Sequence, residues 1–423
     1  MRVLLSTGIG SRGDVQPLVA LASRLIQAGH QACMCVPPDF RDWLVGLGLD
    51  VTPIGPRLRG DGAPARQPGS PVPQGHATGT PPERLGPLAE ATVADQFATI
   101  AEAARGCDVI VTTALQVAAR SVAEALGQRY VFAAFCPAFL PSPHHPPPPL
   151  GAPGREQPLP AAANRELWSM HARHLNESFG PALNRHRAAA GLPPVDDVRS
   201  HIFTTRPWLA ADPVLAPWPG PQGGAVFQPG AWNLPDERPL DPELEAFLQA
   251  GEPPVYFGFG SMRMPPHLAQ VIAQAARRTG RRAIIYAGWA GLALTQGEPG
   301  CLVIGEANQQ RLFRRVAAVV HHGGAGTTTT AALAGLPQVL IPQAYDQRYW
   351  AQRVRDLGIG FAHPPGTPDA DSLTTAVQYA LQPRVQARAR AIGRTMQTDG
   401  ARAAAANLVA GLAEPAGTRM ETR

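Results

Sequence analysis

RVLLSTGIGSRGDVQPLVALASRLIQA, residues 2–28, decides the fold. A β-rich apolar run from Arg2 to Thr7 meets the glycine loop Gly8-Ile9-Gly10-Ser11-Arg12-Gly13. Helical spacing follows over Asp14–Ala28, through Val15, Leu18, Val19, Ala22, Leu25 and Ile26, and stops at Gly29. Apolar runs at Gln31–Val36 and Val51–Ile54 supply the next strands. Strand, helix, strand at this spacing is the signature of a parallel sheet with crossover helices. The alternation resumes at Asp108–Thr112, Val117–Leu126 and Tyr130–Phe135.

Beyond a Pro/Gly/Trp-rich stretch from Asp212 to Pro239 the pattern restarts. Strands are expected at Val255–Phe259, Ala283–Ala287, Leu302–Ile304, Val316–His321 and Gln338–Ile341. Helices are expected at His267–Thr279, Thr327–Ala334 and Asp346–Leu357, with Ala/Arg-rich helices from Ser372 packing against the body. The fold class is therefore α/β: two Rossmann-like, open parallel-sheet domains facing a central cleft. The expected boundaries are 1–212, a linker at 213–239, 240–403, and a C-terminal helix and tail at 404–423. Pro56–Pro82 and Cys136–Pro160 break the pattern, and long loops of this kind wall functional sites.

Composition removes several chemistries. The 37 Lys+Arg residues of this 423-residue chain are all arginine. A Schiff-base lysine and a Walker-type phosphate lysine are therefore excluded. The net charge of +5 is spread without a long arginine run, which argues against a nucleic-acid partner. The five widely spaced cysteines form no zinc pattern and no disulfide framework. A secretory h-region is missing, and no apolar run is long enough to span a membrane, so the chain reads as cytoplasmic.

Three places carry chemistry. The first loop is a literal GxGxxG, which fits a dinucleotide site, but no acidic residue closes the second strand to hold a ribose. Asp14, next in line, is either a helix cap or a carboxylate aimed into the cleft, and could be both. The second loop, His321-His322-Gly323-Gly324-Ala325-Gly326-Thr327-Thr328, follows a strand and opens a helix. Its amides, helix dipole and hydroxyls suit a pyrophosphate, with His322 as an added donor. No aspartate in that strand offers itself to Mg²⁺. Phe259-Gly260-Ser261 is a smaller anion-friendly turn. Asp346 and Gln347 could merely cap a helix, yet together they suit sugar hydroxyls. A pyrophosphate site beside a polyol site is what a nucleotide sugar requires.

GSRGDVQPLVALASRL (10–25), GLPPVDDV (191–198), LAADPVLAP (209–217), GAWNLPDERPLDPELEAFLQAGEPPVYFGFGS (230–261), RVAAVVHHGGAGTTT (315–329) and YDQRYWAQRVRDLGIG (345–360) together resemble the glycosyltransferases of glycopeptide-antibiotic biosynthesis. The similarity runs from Met1 to about Leu412. It implies the GT-B fold, an N-terminal acceptor half and a C-terminal donor half. It implies inverting transfer of a sugar from UDP- or TDP-sugar to a hydroxyl of a heptapeptide aglycone or pseudoaglycone, with no cofactor and no obligatory metal. Asp14 is then the general base. The diphosphate is held by His322, Gly324, Gly326 and Thr327, with Ser11 and Ser261 reaching it from the other side. Asp346 and Gln347 take the donor sugar, and the nucleobase sits near Glu306–Gln310, on backbone contacts.

The chain departs from the family pattern in two places. The first loop has one extra residue near Ile9, which unsettles Ser11, and four threonines, Thr327–Thr330, start the donor-facing helix. Other natural-product acceptors (an aromatic polyketide, a macrolide), a nicotinamide-dependent oxidoreductase and a non-catalytic nucleotide-sugar-binding partner are the competing functions.

Overall fold

A computed structural model describes residues 1–8, 10–57, 82–148, 160–220, 225–262, 264–289, 291–294 and 297–413. Twelve strands lie in these residues. The first six are β1 (Arg2–Ser6), β2 (Gln31–Val36), β3 (Asp50–Pro53), β4 (Val109–Thr112), β5 (Arg129–Ala134) and β6 (Trp208–Leu209). The second six are β7 (Val255–Gly258), β8 (Ala283–Tyr286), β9 (Cys301–Ile304), β10 (Ala318–His321), β11 (Gln338–Leu340) and β12 (Gly360–Ala362). They form two parallel sheets, ordered β3-β2-β1-β4-β5-β6 and β9-β8-β7-β10-β11-β12. Both orders are the doubly wound 3-2-1-4-5-6 arrangement, in which ligands bind where the order reverses, beyond the strands' C-terminal ends.

The two reversal points lie between β1 and β4 and between β7 and β10. The loops found there are the glycine loop after β1 and the His322 loop after β10. Central strands are buried on both faces, as Val3, Leu4, Leu5, Val319 and Val320 show, which is why they read as continuous apolar runs. The cysteines are all free, and four of the five are buried.

Several elements were not legible in the sequence. β6 is only two residues long, and β12 begins at a glycine. The longest helix, Ala161–Ala189, buries Trp168, Leu175, Phe179 and Leu183 on one face, but Pro181 and many polar residues obscure the period. A second long helix, Pro82–Ala103, rises where the Pro-rich loop ends. Residues 58–81 and 149–159, most of the expected acceptor-facing loops, lie outside the described residues.

Between β6 and the helix Pro242–Gln249 the chain crosses from one sheet to the other, and it is pinned near both ends. Buried Asp212 accepts from the Val214 amide (2.8 Å), the Leu215 amide (3.1 Å) and the Gln397 amide (2.7 Å). Asn308 donates to the Asp236 and Arg238 carbonyls, and Gln310 to the Leu234 carbonyl. The chain then crosses back. The helix Gly400–Ala413 buries Ala401, Ala404, Ala405 and Leu408 in the same core as Val15, Leu18, Val19 and Ala22 of the first helix. Where the two crossings meet, Gly230 and Gly400 touch backbone to backbone: a Cβ on Gly400 would lie 2.4 Å from the Gly230 carbonyl.

No helix among the described residues is long and apolar enough to cross a membrane.

Candidate active site

Both reversal points open onto one cleft of about 880 Å³. It is lined by Ser11, Asp14, Ser261, His322, Gly324, Gly326, Thr327, Asp346 and Gln347, so the fold brings these nine residues to one place.

On one wall, the helix Arg12–Gln27 starts with Ser11 as its N-cap, not Asp14. Ser11 Oγ accepts from the Gly13 amide at 3.2 Å. Asp14 instead occupies the third helical position, and its Oδ2 accepts from the Ser11 amide at 2.7 Å. Serine and aspartate are both good caps, and the sequence alone does not say which leaves the helical conformation. Gly10 makes the inward turn possible: its φ is +147°, and a Cβ there would lie 2.4 Å from Asp14 Oδ2.

Burial pushes the Asp14 carboxyl up to about 7. The Ser11 amide works against that shift, and the negative charge of Asp346 adds to it. A carboxylate with its proton affinity near neutrality is suited to accept a proton from an attacking hydroxyl.

The opposite wall is the loop after β10. His321 is wholly buried. Its Nδ1 accepts from the Gly323 amide at 3.1 Å, so the proton sits on Nε2, 2.9 Å from Gln338 Oε1. Gln338 Nε2 in turn donates to the Thr328 carbonyl. This chain holds the turn at Gly323, whose φ is +94°. His322 projects the other way, into the cleft. Burial pulls its imidazole down to about 4, so it is neutral at pH 7, with the Gly258 carbonyl offsetting part of the shift.

The helix Ala325–Leu333 begins at Gly324 with no side-chain cap, which leaves its first amides directed at the cleft. The four threonines divide between surfaces: Thr327 and Thr330 line the cleft, whereas Thr328 is fully buried and Thr329 nearly so.

Asp346 precedes the helix Gln347–Asp356 but makes no capping bond. Its Oδ2 accepts from Trp350 Nε1 at 2.7 Å, and burial pushes its carboxyl up to about 6. Asp346 therefore holds the N-cap position without its side chain capping the helix. Gln347 Oε1 accepts from the Gln343 amide (2.7 Å) and the Ala344 amide (3.0 Å), so this side chain shapes the loop that it closes. Tyr345, between loop and helix, is held at φ +55°, and Ala114 in the loop after β4 has the same φ. Both line the cleft, and backbone strain of this kind concentrates at functional sites.

At the cleft's far end the side chains of Asn308 and Gln310 are engaged with the crossing segment, and Glu306 pairs with Arg12 at 2.7 Å. The Arg12 guanidinium also lies over the Trp43 ring, 4.5 Å from its centroid. Trp289, after the β8 strand, joins the lining here. Neither Arg12 nor Trp289 was singled out in the sequence. Arg12 adjoins Ser11, but its partner is 294 positions away. Aromatic side chains, among them Phe132, Phe135, Phe139, Trp168, Phe203 and Trp232, form the N-terminal wall.

The dinucleotide reading of the first loop fails on this geometry. The Ser11 amide, which would face a pyrophosphate, is already bonded to the Asp14 carboxylate. Among the described residues, no group of three or more His, Cys, Asp or Glu side chains is placed to hold a metal ion.

Comparison with known proteins agrees with this architecture. Residues 4–141 match the glycosyltransferase family 28 N-terminal domain, and residues 302–411 the erythromycin biosynthesis protein CIII-like C-terminal domain. The solved structure titled as the glycotransferase of kitacinnamycin superposes with a TM-score of 0.69 at 17% identity, covering 97% of this chain and 98% of that one. The fold is thus that of the GT-B glycosyltransferases. The chain is 50% identical to glycosyltransferase GtfE of Amycolatopsis orientalis over 98% of both chains. It is 47% identical to the vancomycin aglycone glucosyltransferase of the same organism over 96% of both. The chain belongs to the glycosyltransferases of glycopeptide-antibiotic biosynthesis.

Proposed function

We propose that the protein moves a sugar from a UDP- or TDP-sugar to a hydroxyl of a glycopeptide aglycone or pseudoaglycone, with inversion, in one displacement and without a metal. One observation carries this reading: Asp14, tuned to about 7, and the uncapped helix start at Gly324–Thr327 beside His322 line the same cleft from opposite halves of the molecule. The acceptor hydroxyl lies against the aromatic wall and gives its proton to Asp14 as its oxygen attacks the anomeric carbon. The bond from that carbon to the diphosphate breaks, and the electron pair leaves with the nucleoside diphosphate. The amides of the Gly324–Thr327 turn, the Thr327 and Ser261 hydroxyls and His322 take up that charge. The Ser11 hydroxyl, which caps its own helix, contributes from the facing wall. Asp346 and the Gln347 amide group receive the sugar hydroxyls, and the nucleobase lies along Glu306–Gln310.

No lysine is needed, because helix-terminal amides stabilise an anion on their own. No cofactor enters the scheme, and the nucleotide sugar is a co-substrate.

Incubating the protein with UDP- and TDP-sugars and glycopeptide aglycones or pseudoaglycones, followed by mass spectrometry, tests the reading. The expected result is a gain of one sugar mass on a glycopeptide, undiminished by a chelator. Activity lost to the chelator and restored by Mg²⁺ would remove the metal-free step. Transfer only to a polyketide or macrolide would reassign the acceptor.

A further inference from the structure

Trp350 has no part in the scheme above, and it is the largest of the fully buried side chains, 1% exposed. It sits one helical turn after Asp346 and is tied to it twice. Its backbone amide donates to the Asp346 carbonyl at 3.1 Å, and its indole Nε1 donates to Asp346 Oδ2 at 2.7 Å. The ring cannot swing away. It is packed in the core shared by the two halves, with Leu215 from the crossing segment and Leu340, Ala351 and Val354 from the donor side. The Tyr349 ring meets it edge-on at 5.4 Å between centroids.

An indole N–H only donates, so it selects the carboxylate oxygen as its acceptor and favours the ionised form. With Oδ2 held, Oδ1 is the oxygen left to accept from a ligand in the cleft. We infer that Trp350 is a positioning residue, fixing the Asp346 carboxylate as the acceptor for a hydroxyl of the donor sugar. The inference rests on the reading that Asp346 contacts that sugar.

The consequence is selective. Trp350 should matter for the hexosyl part of the donor and not for its nucleoside diphosphate, which binds around Gly324–Thr327. Trp350→Phe keeps most of the ring's bulk and removes the N–H. Affinities for UDP and for UDP-glucose (or TDP and TDP-glucose, if that pair binds) are measured by calorimetry in wild type, Trp350→Phe, Asp346→Asn and the double variant.

The expected result is unchanged UDP affinity in all four, with UDP-glucose affinity weakened about tenfold by either single change, the size of one charge-assisted hydrogen bond. The double variant should be no weaker than Asp346→Asn alone. In Trp350→Phe the pH below which UDP-glucose loses its advantage over UDP should also move upward, because Asp346 has lost the bond that keeps its carboxyl lower. If Asp346→Asn weakens UDP-glucose and Trp350→Phe does not, the positioning role is wrong. If neither variant changes it, the assignment of Asp346 to the sugar falls first.

Should Trp350→Phe fail to fold, indole NMR on the intact protein decides the matter. Of the seven tryptophan N–H signals, the one displaced by Asp346→Asn must also shift with UDP-glucose and stay in place with UDP. A signal indifferent to the sugar would overturn the inference.

Discussion

Asp14→Asn lowers sugar transfer by roughly 10²–10⁴-fold, the range for loss of a general base, and leaves affinity for the nucleoside diphosphate unchanged. The amide preserves the oxygen that accepts from the Ser11 N–H, so the start of the helix Arg12–Gln27 survives. The variant also removes a half-buried group whose ionisation the fold disfavours. In wild type the folded carboxyl titrates at about 7, above its ordinary 3.8, so the folded state holds its proton more tightly than the unfolded chain. Stability from this group is complete below the lower value and declines as pH rises toward 7. At pH 8 the Asn variant should therefore melt no lower than wild type, which separates lost chemistry from lost structure.

The pH profile carries the same signature. Transfer by wild type should rise through about pH 7 and level off as Asp14 loses its proton, and the residual rate of Asp14→Asn should lack that limb. Turnover near wild type in the Asn variant, or a limb that persists in it, would end the role of Asp14 as base.

The second large effect is structural. Gly400→Ala destabilises the protein by about 1–3 kcal/mol, as overpacking of rigid neighbours does. The added Cβ would lie 2.4 Å from the Gly230 carbonyl and 2.5 Å from the Ala231 oxygen. These are backbone atoms of the other crossing, and no rotamer change relieves the clash. The damage falls where the helix Gly400–Ala413 returns to the first half, beside the buried Asp212 that binds the Gln397 amide. Gly297→Ala, with nothing within 4 Å of its Cβ, is the control and should be neutral. Denaturant titration of the three proteins measures the difference. Equal stabilities would show that the two crossings are not in backbone contact.

Most of the architecture was legible because buried parallel strands are continuous apolar runs ended by glycine or proline. Val3–Leu5 and Val316–His321 are read this way without any tertiary knowledge. The site was legible for a related reason: both glycine loops sit at strand–helix junctions, where a doubly wound sheet places ligands. What could not be read depends on conformation or on distant partners. Ser11 and Asp14 are interchangeable as caps in sequence terms, and only the inward turn at Gly10 sends the carboxylate back onto Ser11. The crossing segment is rich in Pro, Gly and Trp and reads as loose linker, yet Gln397, Asn308 and Gln310 fasten it from far away in the chain. The Trp350–Asp346 bond spans a single turn and was available to inspection. Nothing in the sequence marks it, because a tryptophan in an amphipathic helix is ordinarily core, and this one is core as well.

The central claim is that Asp14 and the His322 loop face one another across a single displacement. The anomeric configuration of the transferred sugar tests it most directly, read from the H1–H2 coupling constant of the isolated product. Starting from an α-linked nucleotide sugar, the account predicts a β-linked product and no trace of the α form. A retained α linkage would require a second displacement or a front-face attack and would contradict it.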